Sequence, residues 1–312
     1  MTLDQLHIFL AVAQHLHFSR AADELYLTQP AVSTAIQSLE RQYKVRLFHR
    51  VARRVELTDA GRALATAAKK VLVEVEVAER SLQQFNNLQQ GELKLGASQT
   101  IGNYWLPRFI SQFRQHYPGI QIDCALSNTQ SVSAGVVTGT FDLGLVEGEV
   151  HPSVLVHLQG ETVGYHHLQI VVGHSHPWFT QPTVSAKELL TTSWVLREAG
   201  SGTRQRFEQV LQQWNIQPVE LNIAAEMKSA AMVKAAVEGG VGAAVLSEMT
   251  IRKERQLDTL RSVEVIEAQT PNFAEQLVLP FLLLKHRERF QSLASRAFEQ
   301  ILIMEYESNH GG

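Results

Sequence analysis

The sequence predicts a multidomain α/β chain: an N-terminal winged helix-turn-helix, a long coiled-coil linker helix and a C-terminal two-lobe α/β domain. Three observations carry this. Two amphipathic helical patterns between Phe18 and Gln42 are broken once and followed by a run of cations. An apolar seam of heptad spacing runs from Leu64 to Phe85, and from Glu92 onward strand patterns alternate with helical ones. A chain of 312 residues also exceeds one comfortable core, so two or three domains are expected. The boundaries read as 1–57 for the winged unit, 58–90 for the linker helix and 91–312 for the two lobes. Lobe I comprises 91–162 and 266–312, and lobe II comprises 163–265.

In the first unit, Ser19 is placed to cap a short helix whose Ala21, Ala22 and Leu25 form a small-residue face, ending near Tyr26. Thr28 can cap a second helix, with Pro30 just inside it, where a missing N–H costs little. Val32, Ala35, Ile36 and Leu39 make its apolar stripe, leaving Gln29, Ser33, Thr34 and Gln37 opposite on a short polar face suited to reading base edges. Arg41, Lys44, Arg46, Arg50, Arg53 and Arg54 follow with no acid between Arg41 and Val55, and Arg50 to Leu57 reads as a hairpin wing. The candidate DNA-binding residues are therefore Gln29, Pro30, Ser33, Thr34 and Gln37 for base edges, and Arg50, Arg53 and Arg54 for phosphate or minor-groove contacts. The competing reading is an ordinary helical hairpin with a solvated polar face.

The net charge of -3 conceals a division: residues 1–90 hold 11 Lys and Arg against 9 Asp and Glu, leaving 17 against 22 for the rest. The expected partner of the N-terminal unit is double-stranded DNA. No apolar run approaches the ~18 residues of a membrane span, and polar residues interrupt the N-terminus from Asp4 onward, so no membrane partner and a cytoplasmic location are expected. Cys124 is the sole cysteine and sits on the apolar face of an alternating strand, as a buried core thiol; no disulfide switch can form within the chain.

Leu64, Ala68, Val71, Val75, Ala78, Leu82 and Phe85 are spaced 4, 3, 4, 3, 4, 3, a narrow seam that needs a partner helix. A homodimer through this helix would set two reading helices on successive turns of a pseudo-palindromic site. Packing of the helix on its own domain is the alternative.

Beyond Gly91, strands are expected at Glu92–Ala97, Ile120–Leu126, Phe141–Val146, His167–Val172, Trp194–Leu196, Leu221–Ala224, Ala243–Leu246 and Leu277–Leu284. Helices are expected at Thr100–Tyr117, Gln130–Thr138, Thr203–Trp214, Lys228–Glu238 and Glu288–Met304. Two crossovers, near 161–164 and 263–270, would join the lobes. Ligands in such folds sit beyond the strand ends, where helix N-termini converge. Ser98, Gln99 and Thr100, then Asn128, Thr129 and Gln130, then Ser201, Gly202 and Thr203 mark three such termini. Together they suggest a cradle for a small anionic effector, although each alone is also a plain N-cap. Arg197 either forks the anion or pairs with Glu198, Glu147 or Glu226; Glu147 would repel an anion unless paired, and could instead close the cleft.

No cofactor is expected. The His166–His167 and His174–His176 pairs lack further ligands at fixed spacing and read as surface or turn histidines rather than a metal site. Ser201 in its Gly-Ser-Gly turn lacks the flanks of a nucleophile elbow, so neither catalytic residues nor an enzyme are expected.

The ordered set Phe9, Ala13, Phe18, Ala21-Ala22, Leu25, Gln29-Pro30-Ala31-Val32-Ser33, Ile36, Leu39-Glu40, Leu47-Phe48, Arg50, Leu57-Thr58 and Ala60-Gly61 resembles the winged helix-turn-helix of LysR-type transcriptional regulators. His17 and Lys44 depart from it, standing where a small residue and a glycine are common. The resemblance extends over nearly the whole chain and implies a two-lobe effector domain similar to periplasmic binding proteins. It also implies a homotetramer built from coiled-coil dimers, bent promoter DNA, more often activation than repression, and RNA polymerase as a further partner. Thr100 to Tyr104, Asn128, Gln130, Val146 to Gly148 and Leu196 to Arg204 look most like a branch tied to sulfur and cysteine metabolism, which implies a sulfur oxyanion. A regulator of carbon or aromatic metabolism sensing an organic acid is the alternative, including a related branch that controls carbon fixation and senses organic phosphates or other metabolites; a solute-binding protein or enzyme on the same two-lobe fold is a distant one.

Overall fold

The computed structural model describes residues 1–51, 54–84, 90–181, 183–266 and 276–310. The chain divides into two units, Met1–Leu82 and Gln83–Gly312.

In the first unit, α1 (Leu3–His15) opens with a capping box between Thr2 and Gln5, α2 is Phe18–Glu24 and α3 is Gln29–Tyr43. The cap of α2 is His17, whose ring accepts from the Arg20 N–H, so the helix begins one residue before the expected Ser19 cap. Thr28 caps α3 as expected, through the Ala31 N–H. At the other end, Lys44 takes the left-handed conformation, φ 54°, in which a glycine would be unstrained. Strands β1 (Phe48–Val51) and β2 (Arg54–Leu57) form the antiparallel wing. Its position is fixed from two sides: the Glu40 carboxylate accepts from the Leu47 N–H at 2.8 Å, and the Thr58 hydroxyl donates to the Arg46 carbonyl at 2.7 Å.

The linker helix, α4 (Asp59–Gln84), corrects the seam. Leu64, Ala65, Ala68 and Leu72 pack into the core of their own unit with Phe9, Phe18, Ile36 and Phe48. The open part begins at Val71, which is exposed, and continues through half-buried Val75 and exposed Ala78. Leu64 and Ala68 are thus claimed by the alternative, packing on their own domain, because the first turns of α4 close the three-helix core. Phe85 and the Leu82 side chain lie outside the described residues.

In the second unit, β3 (Gly91–Ser98) pairs in parallel with β4 (Ile120–Ser127) and β5 (Leu143–Glu147), and β12 (Val278–His286) returns antiparallel to β5. Helices α5 (Leu106–His116) and α11 (Leu293–His310) cover one face of this sheet through Phe109, Phe113 and Phe298, and α6 (Thr129–Thr138) covers the other through Val132 and Val136. The expected single helix over 100–117 is instead a π turn, Ile101–Trp105, followed by α5. Pro107 cannot donate to the carbonyl one turn back, and the wide turn absorbs the missing bond.

The lobes are joined by β6 (Leu158–Gly173), 16 residues long. Its first half pairs with β12 and its last residues with β10 (Ala244–Ser247) and β11 (Leu260–Val265), so the expected crossover at 161–164 is no break in the strand. It is a bulge: Gly164 faces Phe281 and Thr162 faces Leu282, with Val163 the extra residue. Lobe II adds β7 (Thr183–Val184), β8 (Ser193–Arg197), α8 (Gly202–Gln213), β9 (Asn222–Met227), α9 (Ala230–Glu238) and α10 (Glu248–Gln256). Leu168, Ile170 and Val172 face Trp194 and Phe207 on one side of its sheet, while Val171 faces Val233 and Val237 on the other. The second crossover, beyond Val265, lies largely outside the described residues. A short helix, Pro152–Leu155 (α7), was also unforeseen, as were α10 and β11.

Cys124 is half-buried against the lobe I core rather than buried, because β4 is an edge strand; burial and the neighbouring Asp123 raise its pKa. No helix among the described residues is long and apolar enough to cross a membrane.

Candidate nucleic-acid surface and effector cleft

The reading face of α3 is open. Gln29, Pro30, Thr34 and Gln37 are exposed, while Ser33 is half-buried and accepts from the Gln37 amide at 3.4 Å. The exposed side chains of Arg41, Lys44 and Arg46 flank the helix end, with Arg46 only loosely paired to Glu40 at 3.8 Å. Arg50 and Arg54 belong to the two wing strands, offset by one register step from direct opposition. Their side chains, and Arg53 altogether, lie outside the described residues.

The cleft is organised around Glu147, the last residue of β5, only 2% exposed. Its Oε1 accepts from the Thr100 hydroxyl of lobe I and the Thr203 hydroxyl of lobe II, each at 3.2 Å. Its Oε2 stands 3.3 Å from Nε2 of His166, and its main-chain oxygen accepts from Thr129 at 2.7 Å. The His166 Nδ1 meets the Ser247 hydroxyl at 2.8 Å. Burial pushes the Glu147 pKa from 4.5 up to about 7 against the lowering effect of the two threonines and Arg197, and lowers that of His166 to about 3. His166 is thus wholly buried, not a surface or turn histidine: β6 is covered on both faces where it leaves lobe I.

Close backbone approach makes this junction. A β-carbon on Gly202 would stand 2.0 Å from the Glu147 carbonyl oxygen, and Gly148, at φ 84°, lies against Gly202. Other expected cradle groups are spent on holding the lobes together. Gln99 donates to the Lys228 carbonyl and accepts from the Ala230 N–H; Asn128 caps α6 and reaches Glu198; and the Gln130 N–H meets the Gly200 carbonyl. Arg197, left open between anion and acid, forms a two-pronged pair with Glu198 at 2.8 and 2.9 Å. Arg204 is taken by Glu208 and Glu226.

Ser98 and Ser201 have buried hydroxyls without a hydrogen-bond partner. Ser201 and Gln130 line a cavity of about 570 Å³ together with Thr129, Ser133, Arg204 and Gln205. His166 and Ser247 are the cleft residues that sequence reasoning missed: they lie 81 positions apart and share no local signal. No group of three potential metal ligands occurs among the described residues.

Residues 3–62 match the bacterial regulatory helix-turn-helix family model of the LysR type, and residues 86–306 match the LysR substrate-binding domain model. The chain belongs to the LysR family of transcriptional regulators. It is 33% identical to a probable RuBisCO transcriptional regulator of Synechocystis sp. over 99% of this chain and 87% of that protein. In fold it is similar to full-length CbnR complexed with its target DNA, with a TM-score of 0.72, 20% identity and coverage of 98% and 100% of the two chains. The regulatory domain of Synechocystis CcmR in complex with 2-PG aligns with a TM-score of 0.60 and 21% identity, over 70% of this chain and 98% of that one. As a LysR-type regulator the chain is a DNA-binding transcription factor with an effector-binding domain, and not an enzyme.

Proposed function

We propose that this LysR-type regulator is cytoplasmic and senses a small organic anion between its lobes. In this reading Gln29, Pro30, Ser33, Thr34 and Gln37 address base edges of promoter DNA, and Arg50, Arg53 and Arg54 hold its backbone. Homodimers form along the open seam of α4 and pair into a homotetramer, and the complex activates transcription with RNA polymerase as its further partner. The observation that carries the effector reading is the buried, unpartnered hydroxyl of Ser201 in the lining of a polar cavity. A cavity of about 570 Å³ is large for a sulfur oxyanion and suited to an organic acid. The relatives named for RuBisCO regulation and the 2-PG bound to CcmR favour the carbon-metabolism alternative in the same direction.

Thermal unfolding of the full chain against sulfate, sulfite, thiosulfate, phosphate, O-acetylserine and 2-phosphoglycolate tests this. A ligand at 100 times its Kd stabilises by about 2.7 kcal/mol, which raises Tm by a few degrees. A shift with 2-phosphoglycolate that Ser201→Ala reduces is expected; a shift confined to the sulfur anions would restore the oxyanion branch.

A further inference from the structure

The cleft that should receive an anion holds more acid than base. Glu149 and Glu208 line it against Arg204, and Glu147 lies next to the lining, its carbonyl bonded to Thr129 and packed on Gly202 beside Ser201. Arg204 is occupied by Glu208 and Glu226, and Arg197 by Glu198. Glu147 therefore has no cation of its own. The groups that face it are the hydroxyls of Thr100, Thr129 and Thr203, the backbone at Gly202, His166 on β6, and the Arg197 charge already cancelled by Glu198.

Ionised, Glu147 would add an uncompensated buried charge between the lobes, and would repel an entering anion. Protonated, it satisfies the geometry. Oε1 keeps both threonine bonds, while Oε2 becomes a hydroxyl aimed at His166 Nε2, 3.3 Å away; neither atom has another partner. The His166 Nδ1 then donates to Ser247, whose oxygen also receives the Met249 N–H at the start of α10. His167, the adjacent residue, is the remaining charged influence and disfavours a cation on His166.

We propose that Glu147 is a neutral acid latching the two lobes, and that an anion entering the cleft retains the proton there, so that effector and proton bind together. This deepens the effector reading above and rests on it. The upward displacement of the Glu147 pKa to about 7 agrees with the geometry. Arginine pairs and lobe contacts then supply shape and closure, while the charge that admits an anion is supplied by the solvent as a proton.

Calorimetric titration of the full chain with 2-phosphoglycolate between pH 7.5 and 9 tests the claim, since the probe's phosphate, with a second pKa of about 6, keeps a constant charge there. Wild type is expected to take up close to one proton per ligand, read from the dependence of heat on buffer, and to lose affinity nearly tenfold per pH unit. Glu147→Gln replaces the acid hydroxyl by an amide donor of the same shape and is expected to bind with no proton uptake and a flat pH profile. Equal uptake in both proteins, or none in wild type, overturns the proposal.

A ligand-free arm separates this claim from the effector reading. The folded chain holds the proton more tightly than the unfolded one, at about 7 against 4.5, so wild type should lose Tm relative to Glu147→Gln from about pH 5 to 7 and level off above. Failure of 2-phosphoglycolate to bind at any pH would sink that effector while this difference still upholds the neutral latch. A difference independent of pH overturns the latch whether or not the probe binds. If Glu147→Gln does not fold, proton uptake by wild type alone decides.

Discussion

The DNA reader and the effector cleft are built on opposite plans. In the first unit the candidate base-reading side chains stand on one helix, all exposed but half-buried Ser33, with a buried three-helix core behind them. In the second, the key groups are buried and come from segments scattered between Ser98 and Ser247, with the surface playing the smaller part. A reader can therefore lose a side chain and keep its shape, whereas the cleft loses its shape with the side chain.

The largest effect should come from breaking the first unit alone. Phe9 is fully buried against Phe48 with ring centres 5.4 Å apart, and Phe9→Ala should cost about 3–5 kcal/mol. DNA binding should vanish in a mobility-shift assay while the 2-phosphoglycolate thermal response of the second unit survives; loss of both would join the units more tightly than this comparison allows. The converse is Gly202→Ala, whose new methyl meets the Glu147 backbone at 2.0 Å. It should destabilise the closed lobes by about 1–3 kcal/mol and weaken the effector response with DNA affinity at a non-specific site unchanged, as paired binding titrations would show.

The smallest effects test the surface. Gln29→Ala should weaken specific binding by about 1–3 kcal/mol and leave non-specific binding nearly intact, because an exposed reader contributes contacts and not stability. Arg41→Ala, at the exposed end of the same helix, should weaken both and reduce the salt slope by about one. Uniform losses on every DNA sequence in both variants would erase the division between reading and anchoring.

What the sequence made legible follows from the same contrast. Thr28, Pro30 and the stripe Val32, Ile36 and Leu39 lie within a dozen residues, so periodicity and capping chemistry suffice to place α3 and its outer face. Of the three helix starts at the cleft, Asn128 is the cap its local sequence announced, whereas Thr100 and Ser201 make no side-chain capping bond. The partners across the cleft were not legible: Glu147 joins Thr100 and Thr203 only after β5 has been laid between β3 and β12 and lobe II has folded onto it. Arg197 could be assigned to Glu198 only once the strand end placed the two side chains alongside each other. The seam of α4 erred differently. Heptad spacing reports an apolar face without saying what covers it, and the first turns of that face were already taken by Phe9 and its neighbours.

The length of β6 has a further consequence. Side chains alternate along a strand, so inserting or deleting one residue after the Val163 bulge would exchange the two buried faces, setting His166, Leu168 and Ile170 against the core that Val171 now fills and Val171 against theirs. Loops around the lobes can lengthen or shorten between relatives without disturbing either core. This strand cannot, because both lobes count their register from it, and a gap of a single residue in 164–173 should be among the rarest changes a functional descendant of this chain carries.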